Sequence, residues 1–217
     1  VLQELEKKLY DNIFIPGHEA DITSVEILST LRQIQETLIY QHNGLFVHLV
    51  SQLINRVEVF GLYFATLDIR QDSSMHGKVM DAFAGGGVFS REYLSMDHDA
   101  RLKYLGSLNE AASFLPEDDF LKETMQSIDA VRYIQQFNGE AGCNRYIISQ
   151  CNSAVNVMEV LALFVLGGWK REDINIDVVP LFETIDDLKN ASDVMKQLYS
   201  DPVYGEHMQR RNRVQTI

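Results

Sequence analysis

The chain has 217 residues, of which 46% are hydrophobic and 23% are charged, a composition typical of a globular protein with a sizeable core. It carries 19 lysines and arginines against 31 aspartates and glutamates, and the resulting net charge of −12 argues against a large interface with nucleic acid. The sequence has no apolar run near the ~18 residues that cross a bilayer, and its first residues lack signal-peptide features, so we expect a cytoplasmic protein without a membrane contact.

Helical periodicity dominates the amino-terminal part of the chain, residues 1–58. Apolar residues at spacings of three and four predict a short amphipathic helix over residues 1–14, which Pro16 ends. A long second helix follows, with Asp21 as its predicted N-cap, and residues 45–56 predict a third helix that is apolar on most sides. We therefore expect a separate helical segment in this part of the chain.

An apolar stretch that ends in a cluster of charge follows, in the segment Gly61–His76. Both alternating sets of its residues are largely apolar, which predicts a strand near 61–70 that is covered on both faces, as in a parallel sheet. The cluster contains Asp68, Arg70 and Asp72, so Arg70 is predicted at the carboxyl end of this strand, where α/β folds place ligand chemistry. The alternative interpretation is that these acidic and basic side chains simply pair with each other.

The middle of the chain carries the weakest chemical signal. Three consecutive glycines, Gly85–Gly87, are not followed by the Lys-Ser/Thr of a phosphate loop, so we interpret them as a connection. Residues 84–142 are predicted to be a helical insertion, with a break at Pro116 and a helix that begins at Asp118 or Asp119.

Two cysteines, Cys143 and Cys151, flank a predicted strand. If that strand is extended, its eight steps place the two thiols about 26 Å apart, far beyond the reach of a disulfide. We therefore expect two free thiols, and the sequence has no ligand spacing that would indicate a zinc site.

A strand, a helix and a second strand are predicted in succession after residue 143. The strands lie near 144–150 and 174–182, and an apolar helix over 155–166 connects them. A helical connection of this length joins parallel strands, so the unit predicts a parallel sheet.

The second of these strands ends in Glu183, directly before a helix that begins with a capping-box pattern at Thr184. Glu183 and Arg70 could then meet at one pocket if their strands share a barrel. A carboxylate in that place suits a hard divalent cation such as Mg²⁺ or Mn²⁺. The alternative is that Glu183 pairs with a nearby basic residue or supports the following turn.

Three stretches of the chain together resemble the phosphoenolpyruvate carboxylase family, of the bacterial type. They lie in the family's order and at compatible separations, and the motifs LDIRQ and VPLFET within them are the specific part of the match. The stretches are FGLYFATLDIRQDSSMH, RYIISQCNSAVNVMEVLALF and DVVPLFETIDDLKNASDVMKQLYSDPVY. A full member of this family is several times longer, and the chain begins with Val1 and stops within the strand-like run RNRVQTI, so we expect an internal fragment of a larger protein.

The fold that the resemblance implies is a helix-rich α/β fold, an incomplete portion of the family's α/β barrel with appended helices. In this interpretation residues 59–217 form a partial barrel. Its strands lie near 61–70, 144–150 and 174–182, and the insertion near 84–142 is helical.

The activity that the resemblance implies is the carboxylation of phosphoenolpyruvate with bicarbonate to oxaloacetate and phosphate, by a cytoplasmic enzyme that is commonly a homotetramer. The resemblance maps Arg70 onto one of several arginines around the substrate phosphate, and Glu183 onto one of two carboxylates that hold Mg²⁺ or Mn²⁺. It gives no role to His76 and places no catalytic residue in this chain. The second metal-binding carboxylate is expected after Ile217, so we predict that the 217-residue chain alone is inactive.

Two other classes of function stay open at this point. One is a different metal-dependent enzyme that acts on phosphoenolpyruvate or pyruvate and shares the barrel but not the carboxylation. The other is a structural or interaction domain without catalysis, in which Arg70 and Glu183 are merely paired.

Overall fold

The computed structural model describes residues 2–18, 22–113, 115, 117 and 119–217, with the side chain of Phe120 left aside. The chain divides into two compact units. One contains the residues up to Thr66 together with Phe137–Gly142, and the other contains Leu67–Gln136 and Cys143–Ile217. No helix of the described ranges is long and apolar enough to cross a membrane.

The first unit is helical. Its helices are α1 (Leu2–Phe14), α2 (Ser24–Gln41) and α3 (Val47–Phe60). The backbone N–H of Glu26 donates to Thr23 Oγ1 at 3.2 Å and caps α2, whereas the predicted cap Asp21 lies outside the described residues. The core of this unit is small; its buried members are Leu5, Ile22, Ile27, Leu31 and Ile54.

The second unit contains a parallel sheet of three strands in the order β1-β2-β3. The strands are β1 (Asp68–Asp72), β2 (Arg145–Ser149) and β3 (Asp177–Pro180). Its helices are α4 (Ser73–Gly86), α5 (His98–Ser107), α6 (Asp119–Asn138), α7 (Ala154–Leu166), α8 (Ile185–Ser200) and α9 (Pro202–Arg210), and short 3₁₀ turns occupy Arg91–Ser95 and Arg171–Asp173. The last two residues of α6 and the 3₁₀ turn Glu140–Gly142 are counted with the first unit. The chain is therefore helix-rich α/β, as the sequence predicts.

The strand predicted near 61–70 is displaced. It begins only at Asp68, and the preceding residues turn, because Gly61 and Phe64 adopt positive φ angles of 54° and 62°. Leu62 and Phe64 are exposed, at 42% and 78%, instead of buried on the two faces of a strand. The prediction was wrong here because an apolar run indicates burial more reliably than it indicates an extended backbone.

The predicted glycine connection is also different in the structure. Gly85 and Gly86 form the last turn of α4, and Gly87 at φ 82° caps this helix through hydrogen bonds of its N–H to Ala84 and Phe83. Helix α6 begins at Asp119, one of the two predicted starts, whereas the other start, Asp118, and the predicted break at Pro116 lie outside the described residues.

One face of the sheet is covered by helices. Tyr146 of β2 packs between His76 of α4 and Phe164 of α7, with ring centroids 5.5 and 6.1 Å away. Ile148 and Val178 lie on the same face and are buried. Helix α7 itself is buried along nearly its whole length, so we call this side the covered face.

The opposite side, which we call the open face, carries the alternate residues of the strands. Asp68 and Arg70 of β1 and Arg145 of β2 are exposed, and Ile147 is half-buried. This face closes toward β3, where Val179 is buried and the Gln215 amide donates to the carbonyl of Val178 at 3.0 Å.

Both cysteines are free. Cys143 and Cys151 are buried at the two ends of β2, and burial raises the pKa of both thiols, that of Cys151 to about 12. They are therefore protonated and unreactive at neutral pH.

Candidate functional site

Arg70 lies in the middle of β1 rather than at its carboxyl end, which corrects the predicted position. It is aligned with Ile147 of β2, and its side chain is exposed on the open face. Ile69, the preceding residue, packs against the core on the covered face. The period of two along a strand thus separates a packing residue from a charged residue at adjacent positions.

The charges at the amino-terminal ends of the strands form a row across the open face. The register aligns Asp68 with Arg145, and Arg145 with Asp177. Arg145 lies 4.0 Å from the Asp68 carboxylate, and Arg211 donates to the Asp177 carboxylate at 2.7 Å. The two acidic residues of the row are thereby each neutralised by an arginine.

Asp72, at the carboxyl end of β1, is engaged by the helix that follows. Its carboxylate accepts a hydrogen bond of 2.8 Å from the backbone N–H of Ser74 and caps α4. The hydrogen bonds from Ser74 hold the pKa of Asp72 below its ordinary value. The Ser73 hydroxyl, one residue on, donates to the carbonyl of Gln150 at 2.8 Å and ties this junction to the end of β2.

Glu183 lies directly before the N-cap of α8, as predicted, but β3 ends at Pro180, so Glu183 is three residues beyond the strand rather than at its end, and it is exposed. The chain still follows β2 at Leu181, whose N–H donates to Ile148 at 2.9 Å, and then enters α8 through a capping box between Thr184 and Asp187. The other carboxylates of this turn are engaged. Asp187 accepts from the Thr184 N–H at 3.0 Å, and Asp186 pairs with Lys189 at 2.8 Å.

Arg70 and Glu183 are separated across the sheet. The register aligns Arg70 with Ile147 and hence with Val179, four residues before Glu183. With strands ~4.8 Å apart and a rise of ~3.3 Å per residue, a chain that stayed extended up to Glu183 would place the two Cα atoms about 16 Å apart, which is an upper estimate because β3 ends at Pro180. No ion pair joins these two described residues, so the interpretation that they merely pair with each other is wrong.

The residues around Glu183 fit a metal ion only in part. An exposed carboxylate is a suitable oxygen ligand, and Mg²⁺ commonly takes only one or two carboxylates from a protein and keeps several waters. Among the parts of the chain that the structure describes, no group of three histidine, cysteine or acidic side chains is arranged to hold a metal. Glu183 can therefore serve as one ligand, and a further protein ligand has to come from other residues.

The sequence did not predict two buried pairs of polar side chains on the covered side. His76 Nε2 lies 2.9 Å from the Tyr146 hydroxyl, and burial lowers the pKa of His76 to about 4, so the ring is neutral. The Tyr93 hydroxyl donates to Glu159 Oε1 at 3.1 Å, and burial raises the pKa of Glu159 to about 7. The available signal for Glu159 was a single carboxylate in the otherwise almost entirely apolar α7.

The fold and these placements define a helix-rich α/β protein that presents charged residues on the open face of its parallel sheet and just beyond one strand. A family model described as phosphoenolpyruvate carboxylase matches residues 3–217. The chain belongs to the phosphoenolpyruvate carboxylase family, which confirms the resemblance seen in its motifs.

Curated relatives agree with this assignment. The chain is 34% identical to the phosphoenolpyruvate carboxylase of Synechocystis sp. over 88% of its own length and 19% of the relative's. It is 32% identical to that of Gloeobacter violaceus over 88% of the chain and 21% of the relative, and 33% identical to that of Xanthomonas campestris pv. campestris over 81% and 19%. The chain thus spans about a fifth of the length of the curated relatives that it matches.

Proposed function

We propose that the chain supplies part of the active site of a phosphoenolpyruvate carboxylase, which joins phosphoenolpyruvate and bicarbonate to give oxaloacetate and phosphate. The observation that carries this proposal is family membership over residues 3–217 together with an exposed arginine and an exposed glutamate in the two specific motifs. The enzyme is proposed to be a cytoplasmic homotetramer that replenishes the tricarboxylic acid cycle and has no nucleic acid or membrane partner.

Arg70 is proposed to bind the phosphate group of the substrate. A guanidinium is permanently charged and offers parallel N–H donors that match two phosphate oxygens, which a lysine does not reproduce. The exposure of Arg70 on the open face, with no ion pair to Glu183, supports this role. Charge that builds on the phosphoryl oxygens as bicarbonate attacks would be stabilised by a donor already held in place.

Glu183 is proposed to be one ligand of the divalent cation, Mg²⁺ or Mn²⁺. When bound, this cation would neutralise negative charge on the substrate oxygens. Glu183 would fix its position beside the mouth of the sheet, and the capping box that follows holds the backbone at that point. A separation of up to about 16 Å between the Cα atoms of Arg70 and Glu183 would accommodate a small phosphorylated substrate between the two side chains.

The architecture of the complete protein is part of the same proposal. The three parallel strands are proposed to belong to an α/β barrel in which the open face of the sheet points inward, with residues 1–58 as a helical segment and 59–217 as the partial barrel. Support comes from the helices that pack on the covered face, because the helices of such barrels form a ring outside the strands.

The proposal is tested by oxaloacetate formation from phosphoenolpyruvate, bicarbonate and Mg²⁺, measured on the 217-residue chain and on the complete product of its gene. We expect activity in the complete gene product and none in the chain alone, because a single carboxylate holds Mg²⁺ poorly and the other reacting groups have to be positioned. A complete gene product without this activity would overturn the assignment, and an active 217-residue chain would show that the chemistry lies elsewhere.

Two substitutions in the complete gene product test the individual roles. Arg70→Lys and Glu183→Gln are each expected to lower kcat/KM by at least ~100-fold, the scale for removing a preorganised charge partner. The matched controls Arg56→Lys and Glu36→Gln change exposed residues of the helical unit and should stay within about twofold of the unmodified enzyme. Wild-type kinetics in Arg70→Lys or Glu183→Gln would remove that residue from the site.

A further inference from the structure

Arg70 is flanked along its own strand by two acidic residues. Asp68 and Asp72 stand two positions before and after it, so all three share the open face, with Cα atoms about 7 Å apart. At that spacing either carboxylate can reach the guanidinium. If Arg70 were paired with one of these carboxylates, that ion pair would have to break before Arg70 could bind another anion.

Both flanking carboxylates have partners other than Arg70. Asp68 faces Arg145 across the β1–β2 register, with Arg145 Nη1 4.0 Å from Asp68 Oδ1. Asp72 accepts from the backbone N–H of Ser74 at 2.8 Å as the N-cap of α4.

Arg145 is available to pair with Asp68 because Asp177, its neighbour on the other side, is bound by Arg211. It is aligned with Asp177 on its other side, but Asp177 receives a hydrogen bond of 2.7 Å from Arg211, which is only 12% exposed. The row at the amino-terminal ends of the strands therefore contains two compensating pairs, Asp68 with Arg145 and Asp177 with Arg211. It lies two residues before Arg70 along β1.

We propose that Arg145 is a positioning residue that holds the Asp68 carboxylate away from Arg70, so that the Arg70 guanidinium stays available to the phosphate of the substrate. The N-terminus of α4 likewise holds the Asp72 carboxylate away from Arg70, through the hydrogen bond from the Ser74 N–H. This inference rests on the proposed function of Arg70 as a phosphate ligand. It assigns to Arg145 an effect on substrate affinity without any contact between Arg145 and the substrate.

The expected size of the effect follows from the exposure of the groups. The side chains of Arg145 and Asp68 are 48% and 28% exposed, so a new Asp68–Arg70 pair in the absence of Arg145 would be an exposed ion pair. Such a pair shifts a binding equilibrium by up to about fivefold. Arg145→Ala should therefore raise the KM for phosphoenolpyruvate by between about two- and fivefold and weaken competitive inhibition by inorganic phosphate in parallel, with little change in kcat.

The decisive experiment is a double-mutant cycle in the complete gene product, assayed at low ionic strength with phosphoenolpyruvate as substrate and inorganic phosphate as inhibitor. Asp68→Asn alone should leave KM unchanged or lower it, and the double variant Arg145→Ala/Asp68→Asn should return KM to within about twofold of the unmodified enzyme. Arg145→Lys, which keeps the charge, should behave like the unmodified enzyme. The control Lys196→Ala removes the cation of an exposed pair on α8 and should change nothing.

Two results would overturn the proposal. If Arg145→Ala leaves KM unchanged, Asp68 does not compete for Arg70. If KM rises but Asp68→Asn does not restore it, Arg145 either binds the anion itself or supports the strand. Arg70→Lys in the same series separates this failure from that of the proposed function, because Arg70→Lys must weaken substrate binding whether or not Arg145 plays its part.

Should Arg145→Ala fail to fold, Arg145→Gln replaces it in the cycle. This variant keeps a polar side chain in the row and still removes the charge, so its KM should rise by a similar factor and be restored by Asp68→Asn. A wild-type KM in a folded Arg145→Gln variant would count against the proposal.

Discussion

The two faces of the three-stranded sheet differ in what their residues do. On the covered face, Tyr146 and Ile148 are fully buried among the side chains of α4 and α7. On the open face, Arg70 and Arg145 are exposed and carry charge. Because neighbouring residues of one strand point to opposite faces, a strand of five residues serves both stability and the proposed site. A shift of the strand by a single position would therefore exchange the packing residues with the charged residues.

The strongest test of this division compares two neighbouring residues of β2. Ile148→Ala on the covered face should lower the free energy of unfolding by about 3 kcal/mol, since it removes three methyl or methylene groups from a closed core and leaves a cavity. Ile147→Ala, the same chemical change at a half-buried position of the open face, should lower the free energy of unfolding by about 1 kcal/mol or less. Urea unfolding with unchanged m-values measures both. Equal costs would contradict the assignment of the two faces.

A second test concerns the buried carboxyl of Glu159, which lies on the covered side. Burial raises its pKa to about 7, so the folded chain holds this proton more tightly than the unfolded chain. The stabilising contribution of protonated Glu159 is therefore complete below about pH 4.5 and is lost as the pH rises to about 7. The groups that act on it are Tyr93 and Asn156 through hydrogen bonds, and Arg101 and Asp81 through charge.

Glu159→Gln removes this titration while keeping an oxygen that accepts from Tyr93. Relative to the unmodified chain, the stability of the variant should rise by about 3 kcal/mol as the pH increases from 4.5 to about 8. The comparison at each pH cancels the opposite trend of His76 and His207, whose pKa values burial lowers to about 4 and whose contributions are lost as the pH falls below 6.5. A stability difference that does not vary with pH would show that Glu159 titrates normally.

The third test breaks the polar contact beneath the sheet. Tyr146→Phe removes the hydroxyl that lies 2.9 Å from His76 Nε2 and leaves a buried ring nitrogen without its partner. We expect a loss of about 1.5 kcal/mol in the free energy of unfolding. Tyr40→Phe, at an exposed position on α2, supplies the matched control and should change stability by less than about 0.5 kcal/mol. A wild-type stability in Tyr146→Phe would mean that this contact contributes nothing.

Local patterns in the sequence predicted β2, β3 and the helices around them to within a few residues. The strand–helix–strand unit has strong signals, because α7 is apolar along its length and capping residues mark the start of both α7 and α8. The first strand was misplaced, since Phe64 takes a left-handed conformation that no local pattern indicates. Its displacement moved Arg70 from the end of a strand to its middle.

The partners of the site residues could not be predicted at all. That Asp68 faces Arg145 depends on the register between strands 77 residues apart, and that Tyr93 reaches Glu159 depends on packing across 66 residues. Such contacts are properties of the whole fold, so the sequence could propose Arg70 and Glu183 as candidate site residues but could not predict which side chains surround them.

The smallest change in stability is expected for a substitution of Arg145 on the open face. Arg145→Ala should change the free energy of unfolding by less than about 0.5 kcal/mol, because its pair with Asp68 is half-exposed and 4.0 Å long. The same variant is expected to raise the KM for phosphoenolpyruvate, so it would show that Arg145 affects substrate affinity without affecting stability. Thermal and urea unfolding of Arg145→Ala beside Ile148→Ala measures the contrast. A loss near 2 kcal/mol in Arg145→Ala would instead make the charged row a structural element, and the open face would then stabilise the sheet as the covered face does.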